Sequence, residues 1–227
     1  MVVGNGMVAK AFSAFKPDNN IIIFASGVSN SSEEDNNEYE REIILLEKSI
    51  NSKEKLIYFS TISVYDPSLS NTKYITQKKK IECLIKSREK NFIIFRLPIL
   101  LGKTENKHTL TNFLFNKIIN NEEILVYKNA CRYLLDIDDV VKTLTPAIHA
   151  NQFDNQIINV NINNQIKINE LLNIFSRITN KEIKIKYIDK GGCYQPDNMS
   201  YINYLNEINY SFPDNYNEKI IQKYYSL

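Results

Sequence analysis

The sequence predicts an α/β fold built on a doubly wound parallel β-sheet, and two observations carry this prediction. Short apolar runs rich in Ile, Val, Phe and Tyr barely alternate with polar residues, which is typical of strands buried on both faces of a parallel sheet. Longer amphipathic stretches separate these runs, as expected for helices that connect parallel strands. The predicted strands are Met1–Val3, Ile21–Ala25, Leu56–Ser60, Phe92–Phe95, Ile124–Tyr127 and Ile157–Val160. The predicted helices are Met7–Phe15, Glu38–Ile50, Tyr74–Glu89, Thr109–Ile119, Asp139–His149, Lys167–Thr179 and Asn217–Tyr225.

The turn between the first strand and the first helix runs Gly4-Asn5-Gly6-Met7 and reaches Ala9 two residues later, a G-x-G-x-x-A pattern. The first glycine permits a tight turn, the second lets a diphosphate approach the backbone, and the small Ala9 lets helix and strand pack closely. Free N–H groups at the start of the helix then face the phosphate. The pattern therefore predicts a Rossmann-type dinucleotide site with contacts from Gly4, Asn5, Gly6 and Met7. The alternative is a tight strand-to-helix turn that binds no ligand.

The predicted catalytic residues lie at the end of the third strand and at the start of the helix that follows. Thr61 comes directly after the strand, and Tyr74 and Lys78 form a Y-x-x-x-K pair further on. On a helix these two side chains lie one turn apart on the same face. A phenol exchanges protons poorly near neutral pH, and a neighbouring ammonium favours its ionised form. Most isolated Y-x-x-x-K pairs are solvated helix surface, but this pair follows a hydroxyl-rich strand end downstream of a glycine turn.

Taken in order, these motifs resemble the extended short-chain dehydrogenase/reductase family of nucleotide-sugar epimerases, dehydratases and ketoreductases. The resemblance covers about residues 1–180, and the shared order of the motifs is more specific than any one of them. Besides the glycine turn, it is carried by Ile23-Phe24-Ala25-Ser26-Gly27, Ser60-Thr61-x-x-Val64-Tyr65, Tyr74 with Lys78, Phe95-Arg96-Leu97-Pro98-x-x-x-Gly102, Asn112-Phe113-Leu114 and the segment from Arg132 to Val140.

The resemblance implies a role for each matched residue. Tyr74 would pass a proton to or from the sugar oxygen, Thr61 would hydrogen-bond that oxygen, and Lys78 would hold the cofactor ribose. Arg132 would grip the diphosphate of a nucleotide sugar, a task that suits a guanidinium fork. Further cofactor contacts are implied at Ala25, Ser26, Gly27, Ser60 and Pro98, and further substrate contacts at Asn112 and Phe113.

The largest departure from the family is a missing strand–helix–strand segment. Phe15 is followed almost at once by the strand Ile21–Ala25, where the family has two further strands and a helix. The missing part normally holds the residue that distinguishes NAD from NADP. The cofactor is therefore predicted only as NAD or NADP, and the sheet is expected to be shortened on one side.

Two positions bear on the reaction type. Family dehydratases carry an acidic pair directly after the catalytic Thr, and this chain has Ile62 and Ser63 there. The predicted function is therefore reduction or epimerisation of a nucleotide-linked sugar. The main alternative is a non-catalytic Rossmann protein that binds a dinucleotide or a sugar nucleotide. A methyltransferase-like enzyme would leave Tyr74 and Lys78 unexplained.

The charge balance argues against two classes of partner. Twenty-eight Lys and Arg face 26 Asp and Glu, a net charge of +2, which gives no field that would attract nucleic acid or an anionic membrane. No apolar run has the length of a membrane span, and the first residues lack the basic and apolar segments of a secretory signal. We therefore expect a cytoplasmic protein.

The cysteines and histidines predict no disulfide framework and no metal site. Cys83, Cys131 and Cys193 are odd in number and widely spaced, which favours a reducing compartment. His108 and His149 lack companions at metal-ligand spacing, so we interpret them as structural or surface residues. The three carboxylates Asp136, Asp138 and Asp139 are expected to cap and begin a helix.

Two expectations concern organisation. We expect a Rossmann body at residues 1–150 and a mixed substrate lobe at 151–227 that also supplies the last core strand. The outer face of the Tyr74 helix is expected to carry Lys79, Lys80, Glu82, Lys86 and Arg88, which is too charged for a dry interface. This face predicts a monomer or a weak homodimer.

Overall fold

A computed structural model of the chain describes residues 1–50 and 53–226. Its strands are β1 (Val2–Val3), β2 (Ile21–Phe24), β3 (Lys55–Thr61), β4 (Phe92–Leu97), β5 (Ile99–Leu101), β6 (Ile124–Tyr127), β7 (Cys131–Arg132), β8 (Leu134–Asp136), β9 (Gln156–Asn159), β10 (Ile166–Lys167) and β11 (Ile185–Ile188). Its α-helices are α1 (Met7–Ala11), α2 (Asn36–Glu47), α3 (Lys73–Arg88), α4 (Leu110–Ile119), α5 (Ile137–His149), α6 (Ile168–Thr179), α7 (Met199–Glu207) and α8 (Tyr216–Tyr225). None of these described helices has the length and apolar character needed to cross a membrane.

The central sheet is parallel throughout and confirms the predicted Rossmann-type fold. Its strand order is β1-β2-β3-β4-β9. Val3 lies opposite Phe24, and Phe24 lies opposite Tyr58, so the carboxyl ends of the first strands meet near one edge of the sheet. β1 pairs with β2 alone and forms the side of the sheet that is shortened, as the missing segment predicts.

Helices cover both faces of this sheet although the strand order never reverses. Phe12, directly after α1, and Phe15, in the 3-10 turn that follows, pack with Ile23 on one face. Leu46 of α2 and Ile81 of α3 pack on the other face. The crossovers from β1 to β4 all step in the same direction, so the crossover through α1 has the opposite hand to the two that follow. Nearly all such crossovers are right-handed. The exception arises because α1 leads directly to a strand that the family reaches only after further crossovers.

One predicted core strand lies outside the central sheet. β6 forms a separate two-stranded parallel sheet with β11, which the sequence pattern did not predict. Ile124 and Val126 are buried, whereas Leu125 and Tyr127 are exposed. The prediction that this run is buried on both faces is therefore wrong, because every second side chain faces solvent.

The C-terminal segment packs against the start of α5 through tyrosine hydroxyls. Asp136 caps α5 as expected, accepting the N–H of Asp138 at 2.9 Å. The Asp139 carboxylate accepts hydrogen bonds from the hydroxyls of Tyr210 and Tyr216, each at 2.6 Å. The Asp139 carboxylate therefore joins α5 to α8 and to the loop that precedes α8.

A disulfide bridge joins Cys131 of β7 to Cys193, 62 residues later. The two meet because β11 pairs with β6 and brings the chain back past β7, where the Cys131 N–H donates to the Gly192 carbonyl at 3.3 Å. The prediction that the cysteines form no disulfide is therefore wrong, since non-local strand pairing brings together residues whose spacing gives no sign of it. Cys83 is a free, exposed thiol on α3.

Candidate functional site

The predicted site residues gather at the carboxyl edge of the central sheet, which is where ligands bind in open α/β folds. Gly4 follows β1, Ala25 follows β2, and Thr61 ends β3. Tyr74 and Lys78 lie on the first two turns of α3, the helix that leads from this edge to β4. The parallel register thus brings together residues that are far apart in the sequence.

Gly4 and Gly6 serve different purposes in the glycine turn. Gly4 has a φ of +125°, and a Cβ there would lie 2.4 Å from the Ala25 carbonyl oxygen, so both conformation and space require glycine. Gly6 has an ordinary φ of −73°, and a Cβ there would meet nothing within 4 Å. Gly6 therefore leaves open space against the backbone, which fits the close approach of a diphosphate.

A cavity of about 550 Å³ opens beside this turn. Its volume is in the range of pockets that hold cofactors and other small molecules. Two of its lining residues, Lys10 and Lys103, are exposed lysines, and a third, Glu105, carries a carboxylate. The lining residues are Asn5, Gly6, Met7, Lys10, Lys103, Thr104, Glu105 and Asn106.

The Tyr74 hydroxyl hydrogen-bonds to no residue of the described chain, although Tyr74 is only 8% exposed. Thr72 fixes the start of α3 because its side chain accepts the N–H of Ile75 at 3.3 Å. The Tyr74 ring packs in a small apolar cluster with Tyr39 and Ile75. A fixed ring with a hydroxyl that no described residue engages can exchange a proton with a ligand.

Thr61 offers a second hydroxyl at the same edge. Its Oγ1 accepts the N–H of Ser63 at 3.1 Å and so begins the 3-10 turn after β3. That contact uses a lone pair and leaves the hydroxyl proton for donation to a ligand.

Lys78 lies in a buried charged cluster. Its ammonium is 5.7 Å from the ring centre of Tyr74 and hydrogen-bonds to Glu42 at 3.0 Å and to the Tyr58 hydroxyl at 3.1 Å. Glu42, 0% exposed, also accepts from the Tyr58 hydroxyl at 3.0 Å and from the Val28 N–H at 3.1 Å. Burial, and then the Glu42 carboxylate, raise the pKa of Tyr58 well above its ordinary value. Two of the three donors of Lys78 are used inside the protein, which leaves one for a ligand.

The segment after β2 borders this cluster. A Cβ on Gly27 would lie 2.6 Å from the Lys78 ammonium and 2.8 Å from Glu42 Oε1, so glycine makes room for the ion pair. Ser26 is held by Arg41, which donates to the Ser26 hydroxyl at 2.9 Å and to its carbonyl at 3.3 Å. The Ala25 N–H donates to a β1 carbonyl at 2.8 Å. The predicted cofactor residues Ala25 and Ser26 thus hydrogen-bond to other parts of the fold, and Gly27 lies against the Lys78–Glu42 pair.

Ser60 also has its hydroxyl engaged within the fold. It donates to Glu82 at 2.6 Å, and Glu82 accepts two further hydrogen bonds from Arg96 at 2.9 and 2.5 Å. Burial opposes the charge of Arg96, but Glu82 raises its pKa overall. The prediction that Glu82 lies on the charged outer face of α3 is wrong, because the carboxylate is buried against Arg96. Pro98 is buried between β4 and β5.

Arg132 is oriented by the loop that follows Thr61. Its Nη1 donates to Asp66 Oδ2 at 3.2 Å and to the Cys131 carbonyl at 2.7 Å. The Asp66 side chain is 1% exposed, so the partner of the guanidinium is fixed. These contacts use one nitrogen of the guanidinium, and the other two nitrogens also carry donors.

Asn112 and Phe113 differ in their surroundings. The Asn112 amide donates to the carbonyls of Thr104 at 3.3 Å and Asn106 at 2.8 Å, and its oxygen accepts from the Tyr225 hydroxyl. Asn112 therefore braces the loop that lines the cavity. Phe113 is 41% exposed.

No metal site emerges within residues 1–50 and 53–226, where no three His, Cys, Asp or Glu side chains come together as ligands. His149 stacks on the Phe15 ring at 4.9 Å between ring centres. That contact agrees with a structural role for this histidine.

Sequence reasoning missed Glu42, the central residue of the Lys78 cluster. The apolar pattern predicts a buried face through Tyr39, Ile43, Leu46 and Ile50, but within α2 the structure buries Tyr39, Glu42 and Leu46. The spacing of residues 39, 42 and 46 is itself helical. A prediction that allowed charged residues on the buried face of the helix would have included Glu42.

No protein-family model and no curated protein matches the sequence. Solved structures do match the fold. UDP-glucuronic acid 4-epimerase from Bacillus cereus, in complex with UDP-glucuronic acid and NAD, has 19% identity and a TM-score of 0.72 over 94% of this chain and 76% of its own. dTDP-glucose 4,6-dehydratase from Bacillus anthracis, in complex with NAD, has 16% identity and a TM-score of 0.71 over 96% and 75%. RMD from Pseudomonas aeruginosa, complexed with NADPH, has 13% identity and a TM-score of 0.70 over 99% and 97%. These likenesses establish the Rossmann-type fold over nearly all of the chain.

Proposed function

We propose that this protein is an NAD- or NADP-dependent oxidoreductase that acts on a nucleotide-linked sugar, as a ketoreductase or an epimerase. The observation that carries the proposal concerns Tyr74 and Lys78. No described residue hydrogen-bonds to the Tyr74 hydroxyl, and the Lys78 ammonium lies 5.7 Å from the centre of the Tyr74 ring. The cavity beside Gly6 supports it, because it leaves room for a dinucleotide next to the glycine turn. Structural neighbours that were solved with NAD, NADPH or a UDP-sugar support the choice of ligands.

Each residue has a defined task in this proposal. A bound nicotinamide supplies or accepts the hydride. Tyr74 passes a proton to or from the sugar oxygen, and Thr61 donates a hydrogen bond to the same oxygen. Lys78 uses its remaining N–H to hold the cofactor ribose, and Arg132 holds the sugar-nucleotide diphosphate. Residues 1–150 form the dinucleotide-binding body, and residues 151–227 form the substrate lobe.

Sugar dehydration is not part of the proposal. The position directly after Thr61 is Ile62, which is buried in a cluster with Tyr133 and Tyr194. An apolar, buried side chain cannot serve as the proton donor that dehydration needs. Reduction needs one proton transfer at Tyr74 and one hydride transfer. Epimerisation needs both transfers twice, because the hydride and the proton leave the sugar and then return, the hydride to the opposite face.

Cofactor binding is the first test. Purified protein is titrated with NAD, NADH, NADP and NADPH by calorimetry and by thermal shift. We expect saturable binding of at least one nucleotide, which stabilises the protein by mass action. If none of the four binds, the oxidoreductase proposal fails.

The catalytic role of Tyr74 is tested with Tyr74→Phe once a nucleotide-sugar screen has identified a substrate. The variant removes only the hydroxyl, which no described residue engages, so folding and cofactor binding are expected to be retained. Turnover is expected to fall by about 10²-fold or more, as for loss of a general acid–base group. Normal turnover in Tyr74→Phe would exclude this mechanism.

A second candidate is a non-catalytic Rossmann protein that binds a dinucleotide or a sugar nucleotide. The observation that favours it is the Lys78–Glu42 ion pair, which is almost fully buried and holds the ammonium inside the protein. In that case Tyr74→Phe and the wild-type protein bind nucleotide equally well, and no sugar nucleotide in the screen is converted.

A further inference from the structure

The cavity beside the glycine turn has positive charge in two of its walls. Lys10 belongs to α1, one turn after Gly6, whose carbonyl accepts the Lys10 N–H at 3.0 Å. Lys103 belongs to the loop after β5. Neither ammonium has a hydrogen bond or an ion pair to the rest of the described chain. With Glu105 as the carboxylate among the lining residues, the cavity has a net positive charge and favours an anion.

The loop that carries Lys103 is held in place. It starts at Gly102, where a Cβ would lie 2.5 Å from Met7 Sδ, so the loop begins in contact with α1. Asn106 donates from its side chain to the Ser29 hydroxyl at 3.2 Å and from its backbone to Thr104 Oγ1 at 3.2 Å. A wall that is ordered before the ligand arrives reduces the entropy lost on binding.

Gly6 is one of the lining residues, and its backbone is called here the floor of the cavity. Gly6 has a φ that any residue can adopt, yet it carries no side chain. A Cβ at Gly6 would extend into open space. The turn conformation therefore does not require a glycine here, and the missing side chain lets a ligand reach the main chain at Gly6.

We propose that Lys10 and Lys103 bind the diphosphate of a dinucleotide from the two sides of this cavity, and that Asn112 is the residue that positions the Lys103 wall. Lysine ammonium groups bind phosphate oxygens as point charges, and two of them match a ligand with two adjacent anionic groups. The choice of a dinucleotide rests on the proposed function. The choice of a diphosphate rests on the charges and the open floor. Asn112, expected to contact substrate, acts here through the carbonyls of Thr104 and Asn106.

The lysines are tested by fluorescence titration of NADH or NADPH, whichever binds the wild-type protein. Lys10→Ala and Lys103→Ala are each expected to raise Kd roughly three- to tenfold, as for loss of one charge-assisted contact. The control is Lys107→Ala, which removes the same charge from the same loop outside the cavity lining and is expected to change Kd less than about twofold. Added salt is expected to weaken binding to the wild type more than to the Lys10→Ala/Lys103→Ala double variant.

The outcomes separate this inference from the proposed function. If the nucleotide binds the wild type and both lysine variants equally well, the two-lysine site is wrong and the oxidoreductase proposal stands. If neither NADH nor NADPH binds, inorganic pyrophosphate is titrated instead. Pyrophosphate binding that needs both lysines supports the diphosphate site while the oxidoreductase proposal fails. Absence of pyrophosphate binding overturns the site as well.

The positioning role of Asn112 is tested by a double-mutant cycle. Asn112→Ala removes the brace on the loop, whereas the Tyr225 hydroxyl keeps Thr111 as a partner, so the fold is expected to survive. Asn112→Ala is expected to weaken nucleotide binding in the wild-type and Lys10→Ala backgrounds and to have little effect in the Lys103→Ala background. An equal effect in all three backgrounds would show that Asn112 acts on stability or on the ligand directly.

Discussion

The Lys78 cluster and the glycine-turn cavity both contain lysines near the same edge of the sheet, but the lysine of the cluster is buried and paired, whereas those of the cavity are exposed and unpaired within the described chain. Lys78 hydrogen-bonds to Glu42 and Tyr58. The side chains of Lys78 and Glu42 are at most 4% exposed. Lys10 and Lys103 are exposed, and no described residue pairs with them. The fold therefore uses two of the three donors of Lys78 and leaves one for a ligand, whereas all the donors of Lys10 and Lys103 are available to a ligand.

This difference separates stability from binding. A buried charge that loses its partner keeps its full desolvation penalty, so changes in the Lys78 cluster affect folding first. An exposed charge is already solvated, so its removal changes affinity with little effect on folding.

The largest effect is expected from Glu42→Leu. The substitution leaves Lys78 buried without a counter-charge and removes the acceptor of the Tyr58 hydroxyl and the Val28 N–H. We expect the free energy of unfolding in urea to fall by roughly 3–5 kcal/mol. Glu47→Leu is the control on the same helix. Its pair with Arg88 is 3.6 Å long and half exposed, so its loss is expected to cost less than about 1 kcal/mol.

The double variant Glu42→Leu/Lys78→Met refines the same test. Apolar side chains of similar volume often replace a buried ion pair without loss of stability. The double variant is therefore expected to be more stable than Glu42→Leu alone and to bind nucleotide more weakly than wild type. A double variant as unstable as the single one would show that Glu42 matters for reasons other than the Lys78 charge.

A smaller effect on stability is expected when one methyl group is added to a glycine in each of the two regions. Gly27→Ala places a Cβ 2.6 Å from the Lys78 ammonium and is expected to cost about 1–3 kcal/mol of unfolding free energy, as overpacking does. Gly6→Ala meets nothing within 4 Å and is expected to leave stability within about 0.5 kcal/mol. Gly6→Ala is nevertheless expected to weaken nucleotide binding. Equal stability losses at the two glycines would contradict the contrast between a filled and an open region.

The smallest effect concerns pH. The folded protein keeps the Tyr58 phenol protonated because its pKa is raised by burial and by Glu42, whereas the unfolded chain loses this proton above about pH 10. The unfolded state then binds fewer protons, so stability is constant with respect to Tyr58 below that pH and falls above it. Tyr58→Phe is expected to reduce the alkaline slope of unfolding free energy by at most about 1.4 kcal/mol per pH unit. Tyr127→Phe, on an exposed position of β6, is the control and is expected to keep the wild-type slope.

The parts of the fold and site that were predictable are those encoded locally. The central strands follow from apolar runs, and the pairing of Tyr74 with Lys78 follows from helical geometry over four residues. Glu42 reaches Lys78 across 36 residues of sequence, and a glutamate does not look like a core residue until its partner is known. The sequence therefore predicted that Tyr74 and Lys78 share one face of a helix, but it did not identify the residue that pairs with Lys78.

The non-local connections account for the remaining errors. β11 pairs with β6, which lies far away in the sequence, and Cys131 meets Cys193 across 62 residues. Asn112 was assigned by its position relative to a family motif, yet its neighbours are carbonyls of this chain's own loop. Motif order predicts which residues share an edge of the sheet, but it does not predict what each side chain touches.

The position of β1 bears on the energetics of local opening. This strand has two residues, and β2 is its partner in the sheet, so little structure must break for β1 and the glycine turn to detach. Segments with few contacts open with much lower free energy than the core. Amide hydrogens of residues 2–12 are therefore expected to exchange faster than those of β3. A nucleotide seated on the glycine turn binds only the closed form, so it slows that exchange in proportion to its occupancy. Hydrogen exchange at this strand thus reports ligand binding without any need for turnover.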